Sequence, residues 1–344
     1  MFDVRCSAPR SGGGILDTLP DHRGACGGPN IEHRTLNIEH RTTDPPPLYR
    51  LRAFQAAGVL ARLLPRPVLQ KLAPLIGRAT FKRNAAGACA LRENLHAITG
   101  KTGGELDALC ADNVAHFSRM LADYFRCGTG DPSRATELLH EWRGFEHFEN
   151  ARARGNGIVL VTAHLGNWEL GGTLLALRGL PMSVITLEEP STELTRWRDA
   201  LRQRLGIKTI TVGPGHDFAF VEMLNVLRRN EVLAMLVDRP YSGTGSKVRF
   251  FERAAEFSTA PALLWQHTGA AVIPAFVLQE ARGRYISFAD APLDFQPGAG
   301  KREALVENTQ RLATHFEDII RKHPEQWFNY VPIWNSSFCR TEED

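Results

Sequence analysis

This sequence predicts an α/β fold: a mostly parallel sheet covered by helices, preceded by a helical N-terminal region. Three observations carry that expectation. From residue 157 onward, short β-branched apolar runs alternate with helical patterns. Runs such as Ile158–Thr162 are apolar almost throughout rather than alternating, as befits strands buried on both faces. Before that point the pattern is helical over most of 48–141, with Glu105–Phe125 the clearest amphipathic stretch.

The elements follow in order. Residues 1–44 are rich in Gly, Pro, Arg and Asp and contain a tandem repeat, Asn30–Thr35 and Asn37–Thr42. Its period of seven suggests a heptad, but one isoleucine per repeat cannot form a coiled-coil seam. A disordered low-complexity tail is expected there. Pro45–Pro47 marks the boundary of a folded unit over 45–344, helical over 45–141 and α/β over 150–344. Pro65, Pro67 and Pro74 are expected to divide the first part into short helices. Strands are predicted at 158–162, 182–186, 208–212, 232–237, 271–277 and 284–289, and a long helix near 302–322. Tyr241–Lys247, with Gly243 and Gly245, reads as a mobile loop. It resembles a phosphate loop only superficially, since no helix starts directly after it.

Charge is unevenly spread. The net charge is only +3, yet no acid occurs between Pro45 and Arg92. Nine basic residues do: Arg50, Arg52, Arg62, Arg66, Lys71, Arg78, Lys82, Arg83 and Arg92. Apolar residues such as Leu60, Leu63, Leu72, Leu75 and Ile76 lie between them. The longest nearly uncharged run, Ala53–Ala61, is far shorter than the ~20 residues that span a bilayer. A basic amphipathic segment resting on an anionic membrane surface is expected, the alternative being a helical cap whose charges face water. Nucleic acid is not expected as a partner, because no recognition motif accompanies the charge. The six cysteines show neither a CxxC nor a zinc spacing, which suggests reduced thiols and no metal. The first thirty residues lack the apolar core of a signal peptide, so the cytoplasmic side is expected.

The stretch most informative about chemistry is Gly157–Gly172, GIVLVTAHLGNWELGG. His164 follows a strand and Glu169 opens a helix. A histidine beside a carboxylate at the carboxyl end of a strand, where α/β sheets gather ligands, is a way to build a general base. The bare spacing says little, because twelve histidines and 38 acids in 344 residues supply roughly one such pair by chance. Five residues on an ideal helix are about 140° apart, so the pair meets only if His164 lies in the turn. The plainer reading makes His164 a satisfied strand-end histidine and Glu169 an acid matching the helix dipole.

HLGNWE also resembles the motif of the bacterial lipid A late acyltransferases of the lauroyl/myristoyl type, within the lysophospholipid acyltransferase superfamily. Further segments match in order: Arg92-Glu93-Asn94-Leu95, Arg202–Gly206, Val237–Pro240, Val248–Phe251, Ser258–Ala262, Gly269–Pro274 and His323–Trp327. The resemblance covers roughly residues 48–335. It implies that His164 is the general base and Glu169 its orienting partner. It also implies that Asn167, Arg202, Arg204, Asp238 and Arg239 bind substrate in the same cleft. Read alone, Arg202 and Arg204 would be a solvated helix face and Asp238 a cap after its strand.

The resemblance further implies transfer of a fatty acyl group to a hydroxyl of a lipid A-like membrane glycolipid. The donor would be an acyl carrier protein or acyl-CoA thioester, no cofactor would be needed, and the enzyme would sit peripherally on the cytoplasmic face of the inner membrane. A lysophospholipid or amino-acid lipid as acceptor, a thioester hydrolase, and a membrane-binding protein without catalysis are the rival readings. No serine or cysteine stands in an elbow motif, which favours direct transfer over an acyl-enzyme. Two departures from the family stand out. An apolar membrane-spanning helix at the start is not seen, and Phe328–Trp334 is aromatic and uncharged where the lipid A enzymes carry a basic segment.

Overall fold

In β2 (Ile158–Thr162 below), Ile158 and Leu160 face one side of a sheet and Val159 and Val161 the other, and all four are buried. That two-sided burial organises the molecule. The computed structural model describes residues 51–189, 191–239, 245–280 and 283–334. The predicted tail with its repeat, and most of the predicted loop at 241–247, lie outside them.

The chain enters through α1 (Leu51–Leu63), α2 (Arg66–Phe81), α3 (Ala85–Thr99), α4 (Gly103–Thr129) and the single turn α5 (Arg134–Leu138). β1 (Leu139–Arg143) and α6 (Phe145–Arg154) lead into the α/β region. There β2 (Ile158–Thr162), α7 (Trp168–Leu177), β3 (Met182–Leu187), α8 (Thr192–Arg204), β4 (Ile207–Val212), α9 (Ala219–Arg228) and β5 (Val232–Leu236) alternate. A hairpin of β6 (Gly245–Phe250) and β7 (Arg253–Ser258) follows, then α10 (Ala260–Thr268), β8 (Ala271–Gln279), β9 (Tyr285–Ala289) and α11 (Lys301–Lys322).

The main sheet has seven strands in the order β1-β9-β8-β2-β5-β3-β4. β8, β2, β5, β3 and β4 run parallel, β9 is antiparallel to β8, and β1 runs parallel to β9. The predicted mostly parallel sheet and helical N-terminal region are therefore present. One face carries Val159, Val161, Leu233, Met235, Phe276 and Leu278. The other carries Ile158, Leu160, Val232, Ala234, Met182 and Ile207. Each fully buried side chain of this size contributes about 1.5–3 kcal/mol.

The N-terminal helices are anchored by polar side chains. Arg66 forms a two-pronged pair with the buried Asp123 of α4, at 2.8 Å for each bond, and also donates to the Gly283 carbonyl. Arg66 is thus committed to the fold rather than to a free basic face. Pro74 does not end a helix as predicted: it is buried within α2, whose packing on α4 offsets the lost N–H bond. Among the described residues, Cys110 and Cys127 are free thiols.

Candidate active site

The register of two neighbouring strands builds the site. β2 and β5 pair with Thr162 opposite Leu236. The residues two steps beyond each, His164 and Asp238, therefore emerge side by side at the carboxyl edge of the sheet. The His164 Nδ1 lies 2.7 Å from Asp238 Oδ1, and the His164 backbone N–H reaches both carboxylate oxygens at 3.2 and 3.1 Å.

Asp238 is almost fully buried and heavily bonded. Trp327 Nε1–H donates to its Oδ2 at 3.0 Å and the Asn329 side-chain amide at 2.9 Å. Burial pushes the Asp238 carboxyl up, but His164, Arg239 and the Trp327 donor outweigh it and hold it well below the usual carboxylate range. A charged Asp238 oxygen can only accept, so Nδ1 of His164 carries the proton and Nε2 is left as the free base. Burial and the Arg239 charge, opposed by Asp238, bring His164 down to about 4. The ring is neutral at neutral pH. Its side chain keeps 18% exposure, enough for a substrate to reach it. The indole of Trp168 meets it edge-on at 5.4 Å.

The turn between β2 and α7 is held tightly. Gly166 has φ +65°, and a Cβ there would lie 2.1 Å from the Val277 carbonyl oxygen. Its N–H donates to Gln326 O at 2.9 Å, the Asn167 N–H to Val277 O at 2.7 Å, and the Phe328 N–H to His164 O at 2.6 Å. Three amides of this turn are thus already engaged, including that of His164. Among the described residues the nearest cation is Arg239, whose Nε lies 3.3 Å from His164 Nδ1. With Nδ1 protonated this is an electrostatic approach rather than a hydrogen bond.

The expected contact of His164 with Glu169 is replaced. Glu169 points from the first turn of α7 towards α8, where Arg198 and Arg202 reach its Oε1 at 3.2 and 3.1 Å. Those arginines are four apart and share one face of α8. Burial pushes the Glu169 carboxyl up, but Arg202 and Arg198 outweigh it and hold it below its ordinary value. Arg198 also bonds Glu189. The structure therefore pairs His164 with Asp238 and gives Glu169 to a buried ion cluster.

The other predicted residues separate. Arg202 is buried and lines an apolar cavity under α7. Arg204 stands exposed on the opposite side of α8, 3.5 Å from the Gly130 carbonyl, because a two-residue step turns about 200°. It is not brought to the site. Asn167 is fully buried and caps α7, its side-chain oxygen accepting from Leu170 N–H at 3.0 Å. Trp327, Asn329 and Arg198 were not foreseen. Asn94 and Asn113 hold the segment that carries two of them, donating to the Asn329 and Val331 carbonyls and to that of Trp327, at 3.0, 2.8 and 2.8 Å.

Over residues 47–336 the chain matches the profile of the family described as bacterial lipid A biosynthesis acyltransferase. It belongs to that family. The enzyme is accordingly an acyltransferase, and the segments quoted from the sequence are the ones that assemble here: Asn94, the HLGNWE turn, Asp238 and the Pro324–Trp327 signature. Among curated proteins, this acyltransferase is 29% identical over 285 residues to a phosphatidylinositol mannoside acyltransferase of Mycobacterium tuberculosis, covering 82% of this chain and 87% of the relative. A protein of the same name from Mycolicibacterium smegmatis is 26% identical over 282 residues, covering 82% and 90%. A lipid A biosynthesis acyltransferase of Haemophilus influenzae is 26% identical over 210 residues, covering 59% and 60%.

Proposed function

We propose that the enzyme transfers a fatty acyl group from an acyl carrier protein or coenzyme A thioester to a sugar hydroxyl of a membrane glycolipid, with His164 as general base. The observation that carries this reading is the neutral His164, its Nδ1–H held by Asp238 and its Nε2 unburdened. The acceptor oxygen forms its bond to the thioester carbonyl carbon while its proton passes to Nε2. Collapse of the tetrahedral intermediate breaks the C–S bond, and the imidazolium returns the proton to the departing thiolate. Asp238 stabilises the imidazolium between these steps. Arg239 is the group best placed to stabilise the oxyanion, since three amides of the turn are already engaged. Burial pushes Cys110 up to about 11 and Cys127 to about 12, which suits neither to act as an acyl-carrying thiolate.

A cavity of about 70 Å³ under α7 supports an apolar acyl group, with Trp168, Glu169 and Thr162 at the end nearest the turn. The acceptor is read as a glycolipid because mannoside and lipid A acceptors, named for the relatives, share sugar hydroxyls. The better coverage of the mannoside enzymes favours the former. Membrane contact is assigned to α1 and α2. Of eleven large exposed apolar residues among the described ones, seven lie there: Val59, Leu60, Leu63, Val68, Leu72, Leu75 and Ile76. Exposed Arg62, Lys71 and Arg78 accompany them. No helix among the described residues is long and apolar enough to cross a membrane.

The test is release of free thiol from palmitoyl-CoA by the purified protein, with and without phosphatidylinositol mannoside. Release matched by acylated lipid is expected; equal release without acceptor would make the enzyme a hydrolase. Binding to anionic vesicles is expected to weaken with salt, and with glutamine at 62, 71 and 78, by about 1 kcal/mol per charge removed. Sedimentation indifferent to both would assign binding to the apolar residues alone.

A further inference from the structure

Two cavities lie on either side of one indole. The first is the roughly 70 Å³ space between α7 and the sheet described above. It exists because small side chains face each other there: Gly171 and Gly172 on α7, Ala234 on β5, Ala275 on β8 and Ser287 on β9. The second, of about 290 Å³, lies outside the edge strand, between β1, α5 and the end of α7. Of the residues that line them, Trp142 alone lines both.

The indole is held as a partition. Trp142 sits opposite Ser287 in the β1–β9 pair. Its ring meets Phe145 edge-on at 5.0 Å. The Arg178 guanidinium lies 4.9 Å from the Trp142 ring centroid and 5.0 Å from that of Phe145. Its Nε1–H is buried without a hydrogen-bond partner among the described residues. Ring packing and the cation–π contact therefore hold it in place, not a polar tether.

We propose that Trp142 sets the upper length of the acyl chain the enzyme transfers, by closing the core cavity towards the edge of the sheet. The inference rests on the acyl-transfer reading, with the chain lying under α7. A chain entering beside Trp168 runs across the strands past Ala234, Ala275 and Ser287, and its end meets the indole. Each further methylene has to displace a ring packed edge-on against Phe145 and covered by the Arg178 guanidinium. The core cavity has little slack: one water needs about 10–15 Å³ of such space, so it holds only a few. The cavity beyond the indole is about four times larger. Removing the ring joins the two.

The experiment measures kcat/KM for saturated acyl-CoA substrates from ten to eighteen carbons, with phosphatidylinositol mannoside as acceptor. Trp142→Ala is expected to move the preferred length upward by two or more carbons, raising the long-to-short ratio by about tenfold or more. Trp142→Phe is expected to move it less in the same direction, and decides the matter if the alanine variant does not fold. Adding Leu177→Trp, which refills the outer cavity, is expected to restore the original profile in Trp142→Ala while leaving the otherwise wild-type enzyme unchanged. A folded Trp142→Ala or Trp142→Phe enzyme with an unchanged or shortened profile would overturn the proposal. Wild-type protein that transfers no chain of any length would instead remove the acyl-transfer reading, and this inference with it.

Discussion

Asp238 and Glu169 are both buried carboxylates near the carboxyl edge of the sheet, and both are held below their ordinary pKa by positive or proton-donating partners. Their partners differ in kind. Asp238 faces His164, a neutral imidazole that can take up a proton and give it back. Glu169 faces Arg198 and Arg202, which stay charged at any pH the protein meets. The first arrangement can move a proton; the second can only hold α7 against α8. The sequence motif contains the histidine and the acid of the ion cluster, while the acid that meets the histidine lies 74 residues away.

The largest contrast is expected between two single variants. His164→Ala should lower kcat/KM by about 10²–10⁴-fold. It should leave thermal stability nearly unchanged, because Asp238 keeps Trp327 and Asn329 as donors. Glu169→Gln should do the reverse, leaving two arginines buried without their shared acid at a cost of about 3–5 kcal/mol in denaturant unfolding. Its folded fraction should retain turnover. A fully stable Glu169→Gln protein with the activity loss of His164→Ala would put Glu169 in the chemistry and break the comparison.

A smaller effect sharpens it. Transfer needs His164 neutral, so activity falls as pH drops through the His164 pKa, and the acid limb of kcat/KM should lie near 4 rather than at 6.5. The Arg239 charge helps to depress that pKa, so Arg239→Gln should move the acid limb upward, towards neutrality. A limb that stays in place, or moves down, would remove Arg239 from the surroundings of the base. No such movement is expected from Arg202→Gln, whose charge is spent on Glu169.

Much of the fold was legible because β-branched runs announce buried strands, as at Ile158–Thr162 and Val232–Leu236. Two elements were not. β1, Leu-His-Glu-Trp-Arg, is a polar edge strand with one neighbour, and its pattern resembles neither a buried strand nor a clean alternation. The β6–β7 hairpin turns through Phe251 and Glu252 at φ +49° and +62°, without the Gly or Asn that usually marks such a turn. In the site, His164 was legible from its place after a strand. Its partner was not, because nothing in a single sequence says that β2 lies beside β5 in that register. Arg198 left a faint local trace, its four-residue spacing from Arg202. Trp327 stood in the His323–Trp327 segment that carries the resemblance but without a role, and Asn329 left no trace, since they reach Asp238 across 89 and 91 residues.

The central claim is that Asp238, and not Glu169, works through His164. Coupling between variants tests it most directly: kcat/KM of Asp238→Asn and of Glu169→Gln, each measured in the wild-type and His164→Ala backgrounds and normalised to folded protein. Asp238→Asn is expected to cost about 10²–10⁴-fold beside His164. It should cost almost nothing once His164 is gone, because residues that act as one unit are not additive. Any cost of Glu169→Gln should be the same in both backgrounds. Independent losses for Asp238→Asn and His164→Ala, together with a Glu169→Gln effect that vanishes without His164, would contradict the account.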